Sequence, residues 1–235
     1  MRFRPLIKHA FGLVGLNISR VAREPRTTHH LLAQKVDLVL DVGANAGQYV
    51  RGIRSSGYAG RVVSFEPLPD AHAKLLSGAA GDPMWRVYRR CAIGAARGYA
   101  EINVAANSKS SSILPMLVRH MEASAGSGYV GTTQTEVLTL CDVLADCHDD
   151  ARRTFVKVDT QGFESYVLEG GANCLASIQG IQLEMSTVPL YENQELYGEL
   201  LARVLAAGYT LWSIEPGFTD TTTGQMLQFD AIFYR

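Results

Sequence analysis

Short apolar runs alternate along the chain with segments whose apolar residues recur every three or four positions. The runs are strand-length and rich in β-branched residues, which is typical of buried strands. They lie at residues 36–40, 61–65, 85–88, 155–158, 180–183 and 209–214. Helical patterns lie between them, at residues 48–55, 71–77, 165–168 and onward, and 194–207. Strands that alternate with helices predict an α/β fold, a doubly wound parallel sheet with helices on both faces.

The C-terminal end of the chain breaks this alternation. Residues 209–214 and 227–234 both have strand character, and EPGFTDTTTGQM lies between them. That connection has turn chemistry and no room for a crossover helix. We therefore expect the last strand to run antiparallel to its neighbour.

Two further segments do not fit the alternation. Residues 105–133 are rich in Ser, Gly and Asn but contain Ile113, Leu114, Met116 and Leu117. A long loop with apolar anchors inside a compact domain predicts a partly ordered lid, called the lid segment below. Residues 1–35 are predicted to form an N-terminal helical extension, so that residues 1–235 make one domain.

The basic N-terminal extension has an apolar stretch only at residues 10–16, whereas a membrane-spanning helix needs about 20 apolar residues. We expect an amphipathic helix that packs on the domain or on a second subunit of a homodimer. The alternative is peripheral contact with a membrane that carries a lipid substrate. The four cysteines, Cys91, Cys141, Cys147 and Cys174, show no CxxC or zinc-like spacing. They are therefore predicted to be free thiols of a cytoplasmic protein.

Composition excludes some classes of function. The chain of 235 residues is 47% apolar and 19% charged, with a net charge of −1. Enough apolar residues are present for a well-filled core, which argues against disorder. A nucleic-acid partner is not expected, because such proteins usually carry a strongly basic face.

The stretch VLDVGANAGQYV, residues 39–50, lies where the first strand should turn into a helix. Gly43 and Gly47 permit close backbone approach, and the helix that follows offers its positive N-terminal end. The spacing is neither GxGxxG nor the P-loop GK[ST] pattern, which weakens a phosphate-binding interpretation. A nucleoside pocket and a simple tight turn remain open from this stretch alone.

Later strand ends carry further candidate residues for the same pocket. Glu66, followed by the rigid Pro67, ends the second strand, where a carboxylate can accept hydrogen bonds from two ribose hydroxyls. In YRRCAIGAARG, the backbone of Ala92 could face an adenine edge, with Ile93 packed on the ring. Asp159 and Glu184 end two later strands and could act as a general base, hold a divalent metal ion, or be a plain pair of solvated acids.

Two residues near Asp159 have simpler interpretations. Lys157 lies two positions earlier, on the same strand face, and is expected to pair with an acid in the pocket. Glu164 lies just inside the next helix, where capping and the helix dipole stabilise an acid. Lys157 and Glu164 are therefore expected to support the site structurally.

These motifs together resemble the FkbM family of S-adenosylmethionine-dependent methyltransferases. The resemblance covers residue 36 to the C-terminus and depends on the ordered motifs LDVGANAGQY, VSFEP, CAIG, SSS, TLCDVL and FVKVDTQGFESYVLEGG, with a later LE. It implies the class I methyltransferase fold, a Rossmann-like seven-stranded sheet with an antiparallel last strand. It also implies S-adenosylmethionine as cofactor and a hydroxyl group as acceptor, often on a sugar of a glycolipid, polysaccharide or antibiotic.

The resemblance also implies roles for particular residues. The loop from Gly43 through Ala44 and Asn45 to Gly47 would cradle the methionine part of the cofactor, and Asp41 would orient the loop. Glu66 would hold the ribose, the Ala92 backbone would face adenine, and Asp159 would lie near the sulfonium. Cys91 and residues 95–96 depart from the usual polar residues around the adenine.

A sugar hydroxyl is a weak acid, so its methylation needs a base or a metal ion. Asp159 and Glu184 are the expected bases, and His120 in the lid segment is a third candidate. Tyr129, Tyr191 and Trp212 could stack on sugar rings or simply pack in the core.

Three other classes of function compete with this interpretation. An NAD-dependent oxidoreductase should show GxGxxG, which is absent. A non-catalytic S-adenosylmethionine-binding module would not need acids at both Asp159 and Glu184. A protein or nucleic-acid methyltransferase is disfavoured by the nearly neutral charge and, for base methylation, by the lack of an Asn/Asp-Pro-Pro-Tyr-like stretch.

Overall fold

A computed structural model describes residues 26–148 and 150–235. The strands, in chain order, are β1 (Leu38–Val42), β2 (Arg61–Phe65), β3 (Trp85–Val87), β4 (Ala92–Gly94), β5 (Gly98–Ala105), β6 (Tyr129–Thr139), β7 (Thr154–Val158), β8 (Ile178–Ser186), β9 (Thr210–Pro216) and β10 (Gln228–Tyr234). The helices are α1 (Arg26–Ala33), α2 (Gln48–Ser55), α3 (Pro69–Ala79), α4 (Val118–Ala123), α5 (Leu140–Cys147), α6 (Glu164–Gly171) and α7 (Tyr197–Ala206).

Seven strands form the main sheet in the order β3-β2-β1-β7-β8-β10-β9. The pairs from β3 to β8 are parallel, whereas β10 is antiparallel to both β8 and β9. The predicted class I methyltransferase sheet and its antiparallel last strand are thus confirmed. In this arrangement β1, β2 and β7 end at the same edge, so the residues that follow them meet there.

Helices cover both faces of the sheet, as the alternating pattern predicts. On one face α5, α6 and α7 pack against every second residue of the strands, among them Leu38, Leu40 and Val42 of β1. On the other face α1, α2 and α3 pack around Val39 and its neighbours. Asp41 of β1 shares the face of Val39, because side chains alternate along a strand.

The first strand lies two residues later than predicted. Val36 still donates its backbone N–H to the carbonyl oxygen of Leu31, so it belongs to the turn after α1. The strand then continues through Val42. Asp41 consequently lies inside the sheet rather than in the loop that follows it.

A second sheet, β4-β6-β5, was missed by the sequence patterns. The predicted lid segment, residues 105–133, includes the start of its strand β6, a 3₁₀ turn at Ser108–Ser110, and α4. Isolated bridges join Asn103 to Ser112 and Met116 to Tyr191. The lid segment is therefore ordered and attached to the domain at two points.

Cys141 and Cys174 form a disulfide with a Cα–Cα distance of 5.6 Å. The prediction of four free thiols was wrong for this pair, since the fold brings α5 next to the end of α6. Cys91 and Cys147 are buried and take no part in this disulfide.

The predicted extension, residues 1–35, lies largely outside the described residues. Its described part forms α1, and Thr27 at the start of α1 donates a hydrogen bond to Oε1 of Gln182 (3.2 Å). None of the helices formed by residues 26–148 and 150–235 is long and apolar enough to cross a membrane. A single domain over residues 1–235 stays a prediction.

Candidate active site

The turn after β1 forms the floor of a cavity at the edge of the main sheet. Gly43, Asn45 and Gly47 take positive φ angles of 76°, 48° and 85°. A Cβ atom on Gly43 would lie 1.8 Å from the backbone oxygen of Asp159. Only glycine fits at this position, because the turn packs directly against the end of β7.

The predicted loop residues do not all face the cavity. Gly43, Ala44 and Asn45 line it. Gly47 instead packs on Trp85, since a Cβ atom on Gly47 would lie 2.6 Å from that ring. Gly47 therefore shapes the turn from the other side.

Glu66, directly after β2, lines the same cavity and is only 4% exposed. Its Oε2 accepts a hydrogen bond from the backbone N–H of Asn45 (2.7 Å), and its Oε1 accepts one from Leu68 (2.8 Å). Burial raises its pKa to about 7, although these two hydrogen bonds oppose the rise. A carboxylate has about four acceptor positions, so it can also bind hydroxyl donors of a ligand.

An apolar corner of the cavity lies beside Glu66. Ala92 and Ile93 of β4 and Ile102 of β5 form it, and Pro67 also lines the cavity. Burial raises the pKa of the adjacent Cys91 thiol to about 12, so the thiol is uncharged. Such a corner suits a flat, uncharged ring.

A buried ion cluster lies beneath the loop. The Nζ atom of Lys157 is 3.5 Å from Oδ1 of Asp41 and 3.2 Å from Oδ2 of Asp159, and it also donates to the backbone oxygen of Gly43 (3.3 Å). Burial opposes the charge on Lys157, but Asp159 and Asp41 outweigh it and raise the pKa of the lysine. Asp41 is fully buried and does not line the cavity, so it acts on the loop through Lys157.

The two predicted acids are brought together by a residue that the sequence patterns missed. The Nε2 atom of Gln161 lies 3.0 Å from Oδ1 of Asp159 and 2.8 Å from Oε2 of Glu184. Gln228 donates a second hydrogen bond to Oε2 of Glu184 (2.6 Å). Burial, followed by the charge of Asp159, raises the pKa of Glu184 well above its usual range. A raised pKa makes a carboxylate a stronger base once it is ionised.

Metal ligation is a separate question for this site. Within residues 26–148 and 150–235, no group of three or more His, Cys, Asp or Glu side chains is arranged to hold a metal ion.

Glu164 serves the loop before α6. Its Oε1 accepts hydrogen bonds from the backbone N–H of Thr160 (2.8 Å), from the Thr160 hydroxyl (3.0 Å) and from the N–H of Gly162 (3.3 Å). Burial raises its pKa to about 7. The expected structural role of this acid is confirmed by these contacts.

His120, in α4 of the lid segment, lines the cavity and is only 3% exposed. Its Nε2 lies 3.3 Å from the hydroxyl of Tyr191, and its ring packs on Phe218 with a centroid distance of 5.5 Å. The Nδ1 atom has no hydrogen-bond partner among the described residues. Burial lowers the pKa of His120, which favours the neutral imidazole.

The three aromatic residues considered for sugar stacking do not line the cavity. Tyr129 donates its hydroxyl proton to the backbone oxygen of Leu114 (2.8 Å). Tyr191 is buried, and Trp212 packs on Tyr234 in another part of the sheet. Their ring faces are therefore not available to a ligand in this cavity.

Several polar residues of the site were absent from the sequence predictions: Gln161, Gln182, Gln228 and Asp230, which all line the cavity. Burial raises the pKa of Asp230 to about 6. Asp230 lies directly opposite Glu184 in the sheet. The alternation in QLE and QFD is a signal that could have identified three of these residues, because residues two apart share a strand face.

Comparison with known proteins decides the family. Residues 41–211 match the Methyltransferase FkbM domain, which covers more than half of the chain. The chain belongs to the FkbM methyltransferase family. This confirms the resemblance seen in the sequence and the enzyme class, an S-adenosylmethionine-dependent methyltransferase, and decides against an NAD-dependent oxidoreductase.

Solved structures with a similar fold include other methyltransferases. The Geobacter metallireducens precorrin-6y C5,15-methyltransferase is 10% identical, with a TM-score of 0.49, over 93% of this chain and 89% of that one. An Aquifex aeolicus SAM-dependent methyltransferase is 12% identical, with a TM-score of 0.46, over 92% and 93%. The Burkholderia thailandensis 1,6-didemethyltoxoflavin-N1-methyltransferase is 12% identical, with a TM-score of 0.44, over 97% and 83%. No curated protein matches the chain.

Proposed function

We propose that this protein transfers a methyl group from S-adenosylmethionine to a hydroxyl group of a small polyhydroxylated acceptor, such as a sugar of a glycolipid, polysaccharide or natural product. The observation that carries the proposal is the pair of carboxylates, Asp159 and Glu184, held by Gln161 in the cavity. Transfer to a hydroxyl oxygen requires a base, and this pair lies beside the loop assigned to the cofactor.

The cavity suits S-adenosylmethionine in the chemistry of its donors and acceptors. Glu66 would accept the ribose hydroxyls, since its two backbone hydrogen bonds leave acceptor positions free. Ala92 and Ile93 would border the adenine, and the Gly43–Asn45 turn would hold the methionine end. When bound, the cofactor supplies a methyl group on a positively charged sulfur.

The protein's own task is then to align the acceptor oxygen and to remove its proton. Glu184 is the proposed base, because burial raises its pKa toward that of a hydroxyl donor. Asp159 would remain paired with Lys157. The Nδ1 atom of His120, which has no partner among the described residues, would accept a hydrogen bond from a neighbouring hydroxyl group of the methyl acceptor.

The proposal also covers the binding partners of the protein and its location in the cell. The cavity has no feature that calls for nucleic acid, and the chain has a net charge of −1. Peripheral membrane contact and a homodimer rest on residues 1–35 and therefore mainly on residues outside the described part. A cytoplasmic location and a divalent metal ion are likewise parts of the proposal.

The proposal is tested by methyl transfer from isotope-labelled S-adenosylmethionine to a panel of free sugars, amino sugars and glycolipids. The expected product carries the label as an O-methyl group, identified by NMR. The variants Asp159→Ala and Glu184→Gln should keep cofactor affinity, measured by calorimetry, and lose at least tenfold in turnover.

Two outcomes would count against the proposal. A label on nitrogen or carbon would exclude O-methylation. The parent protein and both variants could bind the cofactor but transfer the methyl group to no member of the panel. That result would favour a non-catalytic binding module.

A further inference from the structure

Gln161 has an unusual backbone and two charged neighbours. Its φ angle is 56°, in the left-handed region, which residues with a side chain rarely adopt. Its amide nitrogen lies within hydrogen-bond distance of both Asp159 and Glu184. Ionised carboxylates only accept hydrogen bonds, so the NH₂ end of the amide must face them.

The other end of the same amide is held as well. The hydroxyl of Tyr191 donates to Oε1 of Gln161 at 2.9 Å. The Tyr191 ring is 1% exposed and packs on the following residue, since a Cβ atom on Gly162 would lie 3.0 Å from that ring. The orientation of the Gln161 amide is thus determined at both ends.

Tyr191 connects this amide to the lid segment. It pairs with Met116 in an isolated β-bridge. Its hydroxyl lies within donating distance of two carbonyl oxygens, Oε1 of Gln161 (2.9 Å) and the backbone oxygen of Ser110 in the lid segment (3.2 Å). Both oxygens only accept, so the single hydroxyl proton is directed to them and Nε2 of His120, 3.3 Å away, is the donor in its contact with Tyr191. Ser112 of the lid segment donates a further hydrogen bond to the backbone oxygen of Gln161 (2.7 Å).

We propose that Gln161 is a positioning residue for methyl transfer, which fixes the two carboxylates relative to each other and, through Tyr191, makes their arrangement depend on the packed lid segment. The left-handed backbone supports this role, because strained residues persist where surrounding contacts determine their conformation. The functional part of the inference rests on the proposed function, whereas the hydrogen-bond coupling can be tested without turnover.

The titration of Glu184 reports on this arrangement. Burial, Asp159, Glu164 and Asp230 all raise its pKa, and Lys157 lowers it. A hydrogen bond donated to the charged form also lowers a carboxyl pKa. Loss of the Gln161 amide should therefore raise the pKa of Glu184 further.

The experiment is a pH titration of the Glu184 carboxyl carbon by ¹³C NMR in the full chain with S-adenosylhomocysteine bound. In Gln161→Ala we expect the pKa of Glu184 to rise by about 1, the usual scale for a charge-assisted hydrogen bond. Tyr191→Phe keeps the ring and removes only the hydroxyl. This variant should also raise the pKa of Glu184, but by less than Gln161→Ala does. The Gln161 amide is still present but free to rotate, so its hydrogen bond to Glu184 is weakened and not lost.

Tyr129→Phe is the matched control, since it removes a hydrogen bond within the lid segment that does not reach Gln161. It should leave the Glu184 titration unchanged. An unchanged titration in Gln161→Ala would overturn the positioning role. A Tyr191→Phe titration identical to that of Tyr129→Phe would overturn the coupling to the lid segment. Neither result depends on finding the acceptor, so failure of the proposed function would be seen separately, in the methyl-transfer assay.

Discussion

Replacing Lys157 by methionine should strongly destabilise the protein. The lysine Nζ lies between Asp41, which is fully buried, and Asp159. Methionine has a similar length and fills the same space but carries no charge. The substitution would leave the Asp41 carboxylate buried without a cation. Among the described residues, its remaining side-chain hydrogen bond is donated by the hydroxyl of Ser64 (3.0 Å).

The expected loss in the free energy of unfolding is about 3–5 kcal/mol, the range for removing one partner of a buried ion pair. Domains are stable by only about 5–15 kcal/mol, so the midpoint of urea unfolding should fall markedly. The matched control is Arg97→Met, which removes the exposed partner of Asp142. Exposed ion pairs contribute little, so that variant should unfold like the parent protein.

The loss in the free energy of unfolding of Lys157→Met should also depend on pH, because the titration of Asp41 changes. Burial raises the pKa of Asp41 and the charge of Lys157 opposes this rise, so the pKa rises further in Lys157→Met. The folded variant then binds more protons than the unfolded chain above pH 4, the unfolded pKa of about 3.9. Stability therefore decreases as the pH rises from that value to the folded pKa. An equal loss at pH 5 and pH 8, or a loss no larger than that of Arg97→Met, would refute the reasoning.

Three further predictions follow from the site and the fold. Gly43→Ala should abolish cofactor binding in calorimetry. It should also lower the free energy of unfolding by more than the roughly 1–2 kcal/mol that a left-handed backbone costs. The control Gly52→Ala, whose added Cβ atom meets no atom within 4 Å, should change neither quantity. Because the pKa of Glu66 is about 7, cofactor affinity should decrease up to about tenfold per pH unit below that value, and Glu66→Gln should bind weakly at every pH. Cys141→Ser should lower the free energy of unfolding by about 2–4 kcal/mol under oxidising conditions, and a reduced parent protein should unfold like the variant.

Sequence patterns brought together in one cavity the residues that we propose to hold the cofactor, because their determinants are local. Gly43 and Glu66 each follow a strand immediately, and the ends of neighbouring parallel strands meet at one sheet edge. The order of the strands did not have to be known in detail for these residues to be placed together. The family resemblance then assigned the cofactor, and the family match confirmed the enzyme class.

Asp159 and Glu184 were also predicted from strand ends, but the contacts that hold them could not be derived in the same way. Gln161 lies in a loop, and its contacts with Glu184 and Tyr191 join residues 23 and 30 positions apart. The disulfide between Cys141 and Cys174 depends similarly on how two helices pack. Such contacts are determined by tertiary packing, for which a single sequence carries no periodic signal.

A buried polar row crosses the sheet between Glu66 and the carboxylate pair. Ser64, Asp41, Lys157 and Gln182 occupy directly paired positions on four adjacent strands. Burying such groups is unfavourable for stability, and apolar residues of similar size often give an equal or higher free energy of unfolding. Here the row connects β2, which carries Glu66, through β1 to β7 and β8, which carry the carboxylate pair. If the row serves to position the site, an apolar replacement of all four residues should keep the far-ultraviolet circular dichroism of the fold and weaken cofactor binding in calorimetry.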